Sequence, residues 1–276
     1  MLGFWPCVWG YLFSRRGVPA DPVEAAKVIV CLLAITSLVH AINCTWNDIC
    51  DVDLDRKVER TKERPLASGR ISIFAAWLFL LLQTAILLGI LSLLNREAFA
   101  CGLFGVFPLH TLYPLMKRWT YWPQIWLGIA TGWGLPTTRL IFSPEDIADR
   151  TIWVLIIGNI CWSINYDVIC ATQDREDDTQ AGVKSATMIL VSHLRLFLSL
   201  FATLFVGTLV YAGRATGQGA VYYVVSLAGA AAHLAWQLFT LDPEDRKDLQ
   251  WKWKANPQIG FLVAAGLLGQ MYITYL

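Results

Sequence analysis

Residues 71–94 read ISIFAAWLFLLLQTAILLGILSLL, an unbroken apolar run without one charged side chain. A helix rises about 1.5 Å per residue, so a run of this length crosses the roughly 30 Å of hydrocarbon in a bilayer. It has none of the apolar/polar alternation of a membrane barrel strand. Similar runs lie on either side, near Leu2–Phe13, Val23–Cys44, Ala98–Leu115, Tyr121–Phe142, Ile152–Ala171, Ala186–Ala212, Ala220–Leu241 and Ile259–Leu276. Pro, Gly and charged residues punctuate the gaps, as in Arg15-Arg16-Gly17, Ser143-Pro144-Glu145 and Asp242-Pro243-Glu244. The reading is an all-α, polytopic membrane protein of about nine transmembrane helices, forming a single domain over residues 1–276.

Composition agrees. Hydrophobic types make up 56% of the 276 residues and charged types 16%, with a mean hydropathy of +0.49. Soluble domains carry about 25% charged residues. The net charge of +1 provides no basic field for nucleic acid. The seven cysteines are scattered and contain no C-x-x-C pair, so neither a disulfide framework nor a zinc ribbon is expected. The four histidines (His40, His110, His193 and His233) are far apart and read as ordinary helix or interface residues. Leu2 to Phe13 is apolar but opens with no basic segment, so no cleavable signal is expected.

Counting spans separates two sets of gaps. Those after the second, fourth, sixth and eighth runs hold fourteen Lys and Arg, against seven in the others. The positive-inside rule puts the richer side in the cytosol. The same side holds fifteen of the 21 acidic residues. That rule ignores acids, so the excess points to chemistry on that face.

Two acidic segments account for most of it. The first reads Asn47-Asp48-Ile49-Cys50-Asp51-Val52-Asp53-Leu54-Asp55. On a helix Asn47, Asp51 and Asp55 share one face. The second holds Asp167, then Asp174-Arg175-Glu176-Asp177-Asp178, with Asp174 and Asp178 again at i, i+4. Asp51 to Asp174 and Asp55 to Asp178 are both offset by 123 residues, with four spans between. Both segments therefore emerge on one membrane face, as in two four-helix pseudo-repeats with Asp-rich loops at 46–70 and 166–185. Oxygen ligands without His or Cys favour Mg²⁺, Mn²⁺ or Ca²⁺, and Mg²⁺ commonly bridges carboxylates to a substrate's phosphates. Arg60 and Arg64, at i, i+4, supply guanidinium forks that match phosphate oxygens. Lys117 and Lys184 fall on the same side. Arg56, Lys57, Lys62 and Arg118 read equally well as topology anchors.

These motifs resemble the UbiA superfamily of intramembrane prenyltransferases. Asn47-Asp48-x-x-Asp51-x-x-x-Asp55 is similar to the family's first signature, and Arg60-Thr61-x-x-Arg64-Pro65-Leu66-x-Ser68-Gly69 to the stretch after it. Tyr113-x-x-x-Lys117-Arg118 is similar to its Tyr/Lys element. Tyr166-Asp167, Asp174-Arg175-x-Asp177-Asp178 and Gly182-x-Lys184-Ser185 resemble the second signature of the 4-hydroxybenzoate polyprenyltransferase branch. Of the basic element that family members carry before the first helix, at most Gly3 and Pro6 have counterparts.

The resemblance implies a helical bundle around a central cavity open laterally to lipid. Asn47, Asp51, Asp55, Asp174 and Asp178 would hold Mg²⁺, with the four aspartates catalytic. Arg60, Arg64, Tyr113, Lys117, Asp167 and Lys184 would meet the substrate. The implied reaction transfers a prenyl group such as farnesyl from an isoprenoid diphosphate to an aromatic or polyketide-derived acceptor, as fungal meroterpenoid enzymes do. Prenylation of 4-hydroxybenzoate for ubiquinone is the alternative. Trp46, Tyr113, Trp162 and Tyr166 lie near the right face to steady a carbocation. A transporter is disfavoured because the acids sit at span ends beside arginines. A CDP-alcohol phosphotransferase needs an Asp-Gly-x-x-Ala-Arg run that is absent. Organelle (endoplasmic-reticulum-like, or the mitochondrial inner membrane), oligomeric state and prenyl chain length stay open.

Overall fold

The computed structural model describes residues 2–15, 21–145, 148–175, 184, 186–187 and 193–275, apart from the side chains of Lys117 and Tyr275. Every regular element among them is helical. Several of the helices open on a polar cap, because the first N–H groups of a helix have no partner within it. Asp21 caps α2 (Pro22–Asp55), Ser72 caps α3 (Ile73–Leu91), and Asn95 caps α4 (Arg96–Phe104). Asp149 caps α8 (Arg150–Gln173). Between α4 and α5 (Thr111–Trp119) the chain widens into a π-helical stretch, Gly105–His110.

Five helical stretches among the described residues are long and apolar enough to cross a membrane: Pro22–Asp55, Ile73–Leu91, Arg96–Met116, Arg150–Gln173 and Leu194–Ala215 (the last labelled α9). The other apolar runs are short or interrupted. Run 121–142 breaks at Trp133 into α6 (Pro123–Gly132) and α7 (Gly134–Phe142). Run 220–241 contains a π stretch, Tyr222–Ala228, before α10 (Gly229–Thr240). A polar helix, α11 (Arg246–Ala255), precedes α12 (Pro257–Tyr275).

The first run forms α1 (Phe4–Ser14), only 11 residues long. It buries Pro6 and every residue from Val8 to Phe13, so it serves as a plug in the bundle's core. Trp9 donates from Nε1 to Gly260 O at 3.2 Å and lies 5.3 Å from the Trp162 ring. Trp162 in turn stacks on Phe205 at 6.1 Å. α3 shows the opposite pattern. It buries Ala76, Leu80, Gln83, Leu87 and Leu91, a stripe at steps of three and four, and exposes Phe74, Leu78, Leu81 and Leu82. A helix that is apolar all round and buried on one stripe turns its other faces to lipid.

Without a hydrophobic drive between helices in lipid, close backbone approach and polar contacts hold them. Gly128 and Gly132 of α6 face α8, where Asn159 donates to Gly128 O at 2.8 Å and to Thr131 Oγ1 at 3.0 Å. Thr45 of α2 donates to Gln83 of α3 at 3.3 Å.

α11 is fastened by a charge buried beside aromatic rings. Lys252, 1% exposed, pairs with Asp248, donates to Thr240 O at 2.9 Å, and lies within 6 Å of the Trp236 and Trp251 rings. Burial pushes the Asp248 carboxyl up, but the Asp242 N–H and the Lys252 ammonium outweigh it and hold it below its ordinary 3.8. The folded protein therefore binds this proton less readily than the unfolded chain does. The stability Asp248 contributes is present above the ordinary carboxylate range and is lost as pH falls through it toward the lowered value. Asp248→Asn is expected to flatten the fall in Tm between about pH 5 and about pH 3. A variant whose Tm falls as steeply as the wild type would remove the carboxyl from this linkage.

Candidate active site

The first acidic segment is helical. The expectation of a loop from residue 46 is corrected: α2 continues through Asp55, and the non-helical stretch begins at Arg56. Apolar residues interleaved with the acids keep the helix packed, Ile49 against the Ile42, Leu80 and Leu87 cluster. Asp51 and Asp55 are buried at 2% and 7% exposure. The expectation of a second loop from residue 166 is corrected likewise: α8 carries Asp167 and continues through Gln173, with Asp174 as the C-cap residue. Both helices thus point C-terminal ends, already carrying partial negative charge, at a cluster of carboxylates. Such an arrangement requires cations.

The stretch after α2 supplies them. It folds back in tight turns: Thr61 donates to Asp55 O at 3.0 Å, Arg56 Nε to Ala67 O at 3.1 Å and Ser68 to Arg64 O at 2.8 Å. Gly69 ends it at φ +77°, a left-handed conformation that favours glycine. Two arginines are thereby turned inward. Arg64 Nη1 donates to Asp48 Oδ1 and to Asp55 Oδ2, both at 2.9 Å. Arg60 crosses to the other half of the chain, with Nε at 3.0 Å from both Asp174 oxygens and Nη2 at 2.7 Å from Oδ2. This bidentate fork joins the two acidic segments directly. Among the described residues no group of three or more His, Cys, Asp or Glu is placed to hold a metal ion; the arginines stand as counterions to the carboxylates instead.

One cavity of about 610 Å³ is lined by Asn47, Asp48, Asp51, Asp55, Arg60, Arg64, Tyr113, Asp167, Asp174 and Lys184. Segments that follow the second, sixth and eighth apolar runs contribute, together with Tyr113 and Pro114 from the end of the fourth run. Lys184 also lies 5.7 Å from the Tyr121 ring. Lys117 belongs to α5, but its side chain lies outside the described residues, as does all of Asp178. Arg118 donates to Cys50 O at 2.8 Å and so pins α5 to α2. Of the four aromatic candidates, Tyr113 lines the cavity. Trp162 and Tyr166 are instead packed in the core, 5.8 Å apart, and Trp46 donates to Thr111 O at 2.9 Å and meets Trp77.

An apolar chamber of about 160 Å³ adjoins the polar one, lined among others by Leu32, Leu87, Leu91, Leu94, Trp133 and Ile141. His40, Asn43, His110, Ala130 and Thr131 border both chambers. His40 and His110 are helix residues, as expected, and both lie on turns that border the two chambers. Gln250 and Trp253 of α11 also line the polar cavity. Their only sequence signal is the amphipathic Trp251-Lys252-Trp253-Lys254 pattern, which names no partner. Asp48, quoted within the first signature but given no role there because it lies off the Asn47, Asp51, Asp55 face, pairs with Arg64.

The family model for UbiA prenyltransferases matches residues 3–268. The chain belongs to the UbiA prenyltransferase family. It is 39% identical over 272 residues to the UbiA prenyltransferase claS of Ampulloclitocybe clavipes, covering 97% of this chain and 85% of that one. It is 36% identical over 268 residues to the mitochondrial 4-hydroxybenzoate polyprenyltransferase of Arabidopsis thaliana, covering 96% and 63%. Among solved structures, the apo UbiA homologue from Aeropyrum pernix K1 superposes with a TM-score of 0.82 at 22% identity, covering 98% of this chain and 97% of that one. An Archaeoglobus fulgidus UbiA homologue bound to GPP and Mg²⁺ gives 0.67 at 16% identity, covering 98% and 95%. This UbiA member is a membrane prenyltransferase, and its fold is that of these neighbours.

Proposed function

We propose that this UbiA enzyme transfers a prenyl group, farnesyl or one of similar length, from an isoprenoid diphosphate to an aromatic or polyketide-derived acceptor. The observation carrying this reading is the Arg60–Asp174 fork inside a polar cavity that opens into an apolar chamber. The polar chamber suits a diphosphate and the apolar one a hydrocarbon tail. Two relatives bear on the acceptor: a fungal UbiA prenyltransferase and a 4-hydroxybenzoate polyprenyltransferase. The fungal relative is the more similar and is covered over more of its length.

By donor chemistry the residues present fit magnesium, while their carboxylates are paired with arginines in this structure. Asn47, Asp51, Asp55 and Asp174 offer only oxygen, and among the described residues Asn47 Oδ1 is buried without a hydrogen-bond partner. These four, with Asp178, would hold the metal, whose positive charge offsets that developing on the leaving diphosphate. Arg60 and Arg64 exchange their carboxylates for phosphate oxygens as substrate enters, and Lys117 and Lys184 add charge to the same group. Tyr113 and Asp167 line the walls of the site, from which water that would quench the allylic cation has to be kept. The described site faces the cytosol by the excess of Lys and Arg on its side.

The test incubates the purified full chain with farnesyl diphosphate and either 4-hydroxybenzoate or hydroquinone, with and without MgCl₂, and reads prenylated product by mass spectrometry. Product is expected only with the metal, and EDTA should abolish it reversibly. Turnover undiminished by EDTA would remove the metal from the reading. Lys117→Ala is expected to raise KM for the diphosphate by about tenfold; an unchanged KM and kcat would take Lys117 out of the site.

A further inference from the structure

The boundary between the two chambers is where the reacting carbon of a prenyl diphosphate lies when its head occupies one and its tail the other. An acceptor ring has to reach that boundary. The side chains there that can move a proton are His40 and His110. His40 sits on a more open stretch of α2, and its Nε2 lies 3.6 Å from Cys44 Sγ.

His110 is held differently. Its Nδ1 lies 2.8 Å from Gly105 O. A carbonyl only accepts, so this contact assigns the hydrogen to Nδ1 and leaves the lone pair of the neutral ring on Nε2. No partner meets Nε2 among the described residues. The backbone supports this placement. His110 closes the π stretch Gly105–His110, and such widened turns recur at functional sites. Pro108 and Pro114 withhold their N–H groups from this region. Side chains of neighbouring helices occupy its carbonyls: Trp126 donates to Leu109 O at 2.6 Å and Trp46 to Thr111 O at 2.9 Å. The imidazole is thus anchored at one nitrogen on a braced turn, at the border of both chambers.

We infer that His110 Nε2 takes the proton of the acceptor's phenolic hydroxyl. The inference rests on the prenyl-transfer reading above. The hydroxyl proton passes to Nε2 and gives an imidazolium. The activated ring carbon forms its bond to the allylic carbon, whose C–O bond breaks with the electron pair leaving on the diphosphate. The proton at the substituted ring carbon goes to the released diphosphate, and the imidazolium returns its proton to the ring oxygen. The ring becomes aromatic again, and no oxidant or reductant is needed.

The test compares hydroquinone with its dimethyl ether as acceptors for the full chain in lipid nanodiscs, with farnesyl diphosphate and MgCl₂, for wild type, His110→Gln and His110→Phe. Wild type should prenylate hydroquinone and leave the ether untouched. Both variants should lose about 10²-fold or more in kcat, the usual scale of a lost general base, with KM for farnesyl diphosphate unchanged. That unchanged KM also shows that the variants are folded. The inference is overturned if either variant keeps kcat within about threefold, or if the ether reacts as well as hydroquinone. It is also overturned if kcat and farnesyl diphosphate binding are lost together. Wild-type failure with both hydroquinone and 4-hydroxybenzoate would overturn the prenyl-transfer reading beneath it. An active wild type with unimpaired variants overturns only the role of His110.

Discussion

Asp174→Asn is expected to reduce prenyl transfer on the order of 10³-fold or more while leaving the helical bundle intact. Asp174 caps the end of α8 and accepts the Arg60 fork, so it joins the two acidic segments of the site. The amide keeps the size and one accepting oxygen but loses the charge. Three consequences follow from that loss: weaker metal affinity, an Arg60 without its carboxylate, and poorer neutralisation where the diphosphate leaves. Asp51→Asn should have an effect of the same order, since Asp51 is 2% exposed on the same cavity wall. The check is product formation at saturating farnesyl diphosphate and acceptor, alongside circular dichroism in detergent. Retention of more than about a tenth of wild-type kcat by Asp174→Asn, with helicity unchanged, would take Asp174 out of the metal site.

Gly128→Ala is expected to destabilise the bundle strongly. A Cβ at Gly128 would lie 2.5 Å from the Ile160 backbone Cα and 3.1 Å from its side chain. Backbone cannot swing aside as a flexible side chain can, so α6 and α8 must separate. The Asn159 bond to Gly128 O, 2.8 Å long, would stretch with them. Overpacking of this kind costs about 1–3 kcal/mol, seen as a lower apparent Tm in detergent and a smaller active fraction. Gly207→Ala is the control, because a Cβ there meets nothing within 4 Å. Replacing glycine by alanine inside a helix without a clash stabilises by roughly 0.5–1 kcal/mol. Equal Tm values for the two variants would show that α6 and α8 are not in close backbone contact.

Much of the site was legible because helical periodicity is a local property. Asn47, Asp51 and Asp55 recur every four residues, so their common face is implied as soon as the segment is helical. Parity then carries both acidic segments to one side, since an even number of crossings returns the chain to the face it left. The length of α2 was less legible. Hydropathy falls where the acids begin, which reads as the end of a span, yet the hydrogen-bonded helix has no reason to stop while Ile49 still packs against α3. Arg60 and Arg64 were placed near phosphate by spacing, but their present carboxylate partners come from different distances along the chain, nine residues for Asp55 and 114 for Asp174.

The sequence by itself determined the membrane class, the helical content, and the oxygen-rich character of the acidic segments. Each follows from composition or from a repeat a few residues long. Only the tertiary structure decided that α1 is a buried plug, that an apolar chamber joins the polar one, and that His110, Gln250 and Trp253 face the cavity. Those facts depend on contacts such as Trp9 with Gly260, 251 positions apart. They also depend on a widened turn whose carbonyls are taken by tryptophans of other helices. No local pattern encodes which distant surface a side chain will meet. Packing decides that, because each helix in lipid settles where small residues allow backbones to approach and where its buried polar groups find partners.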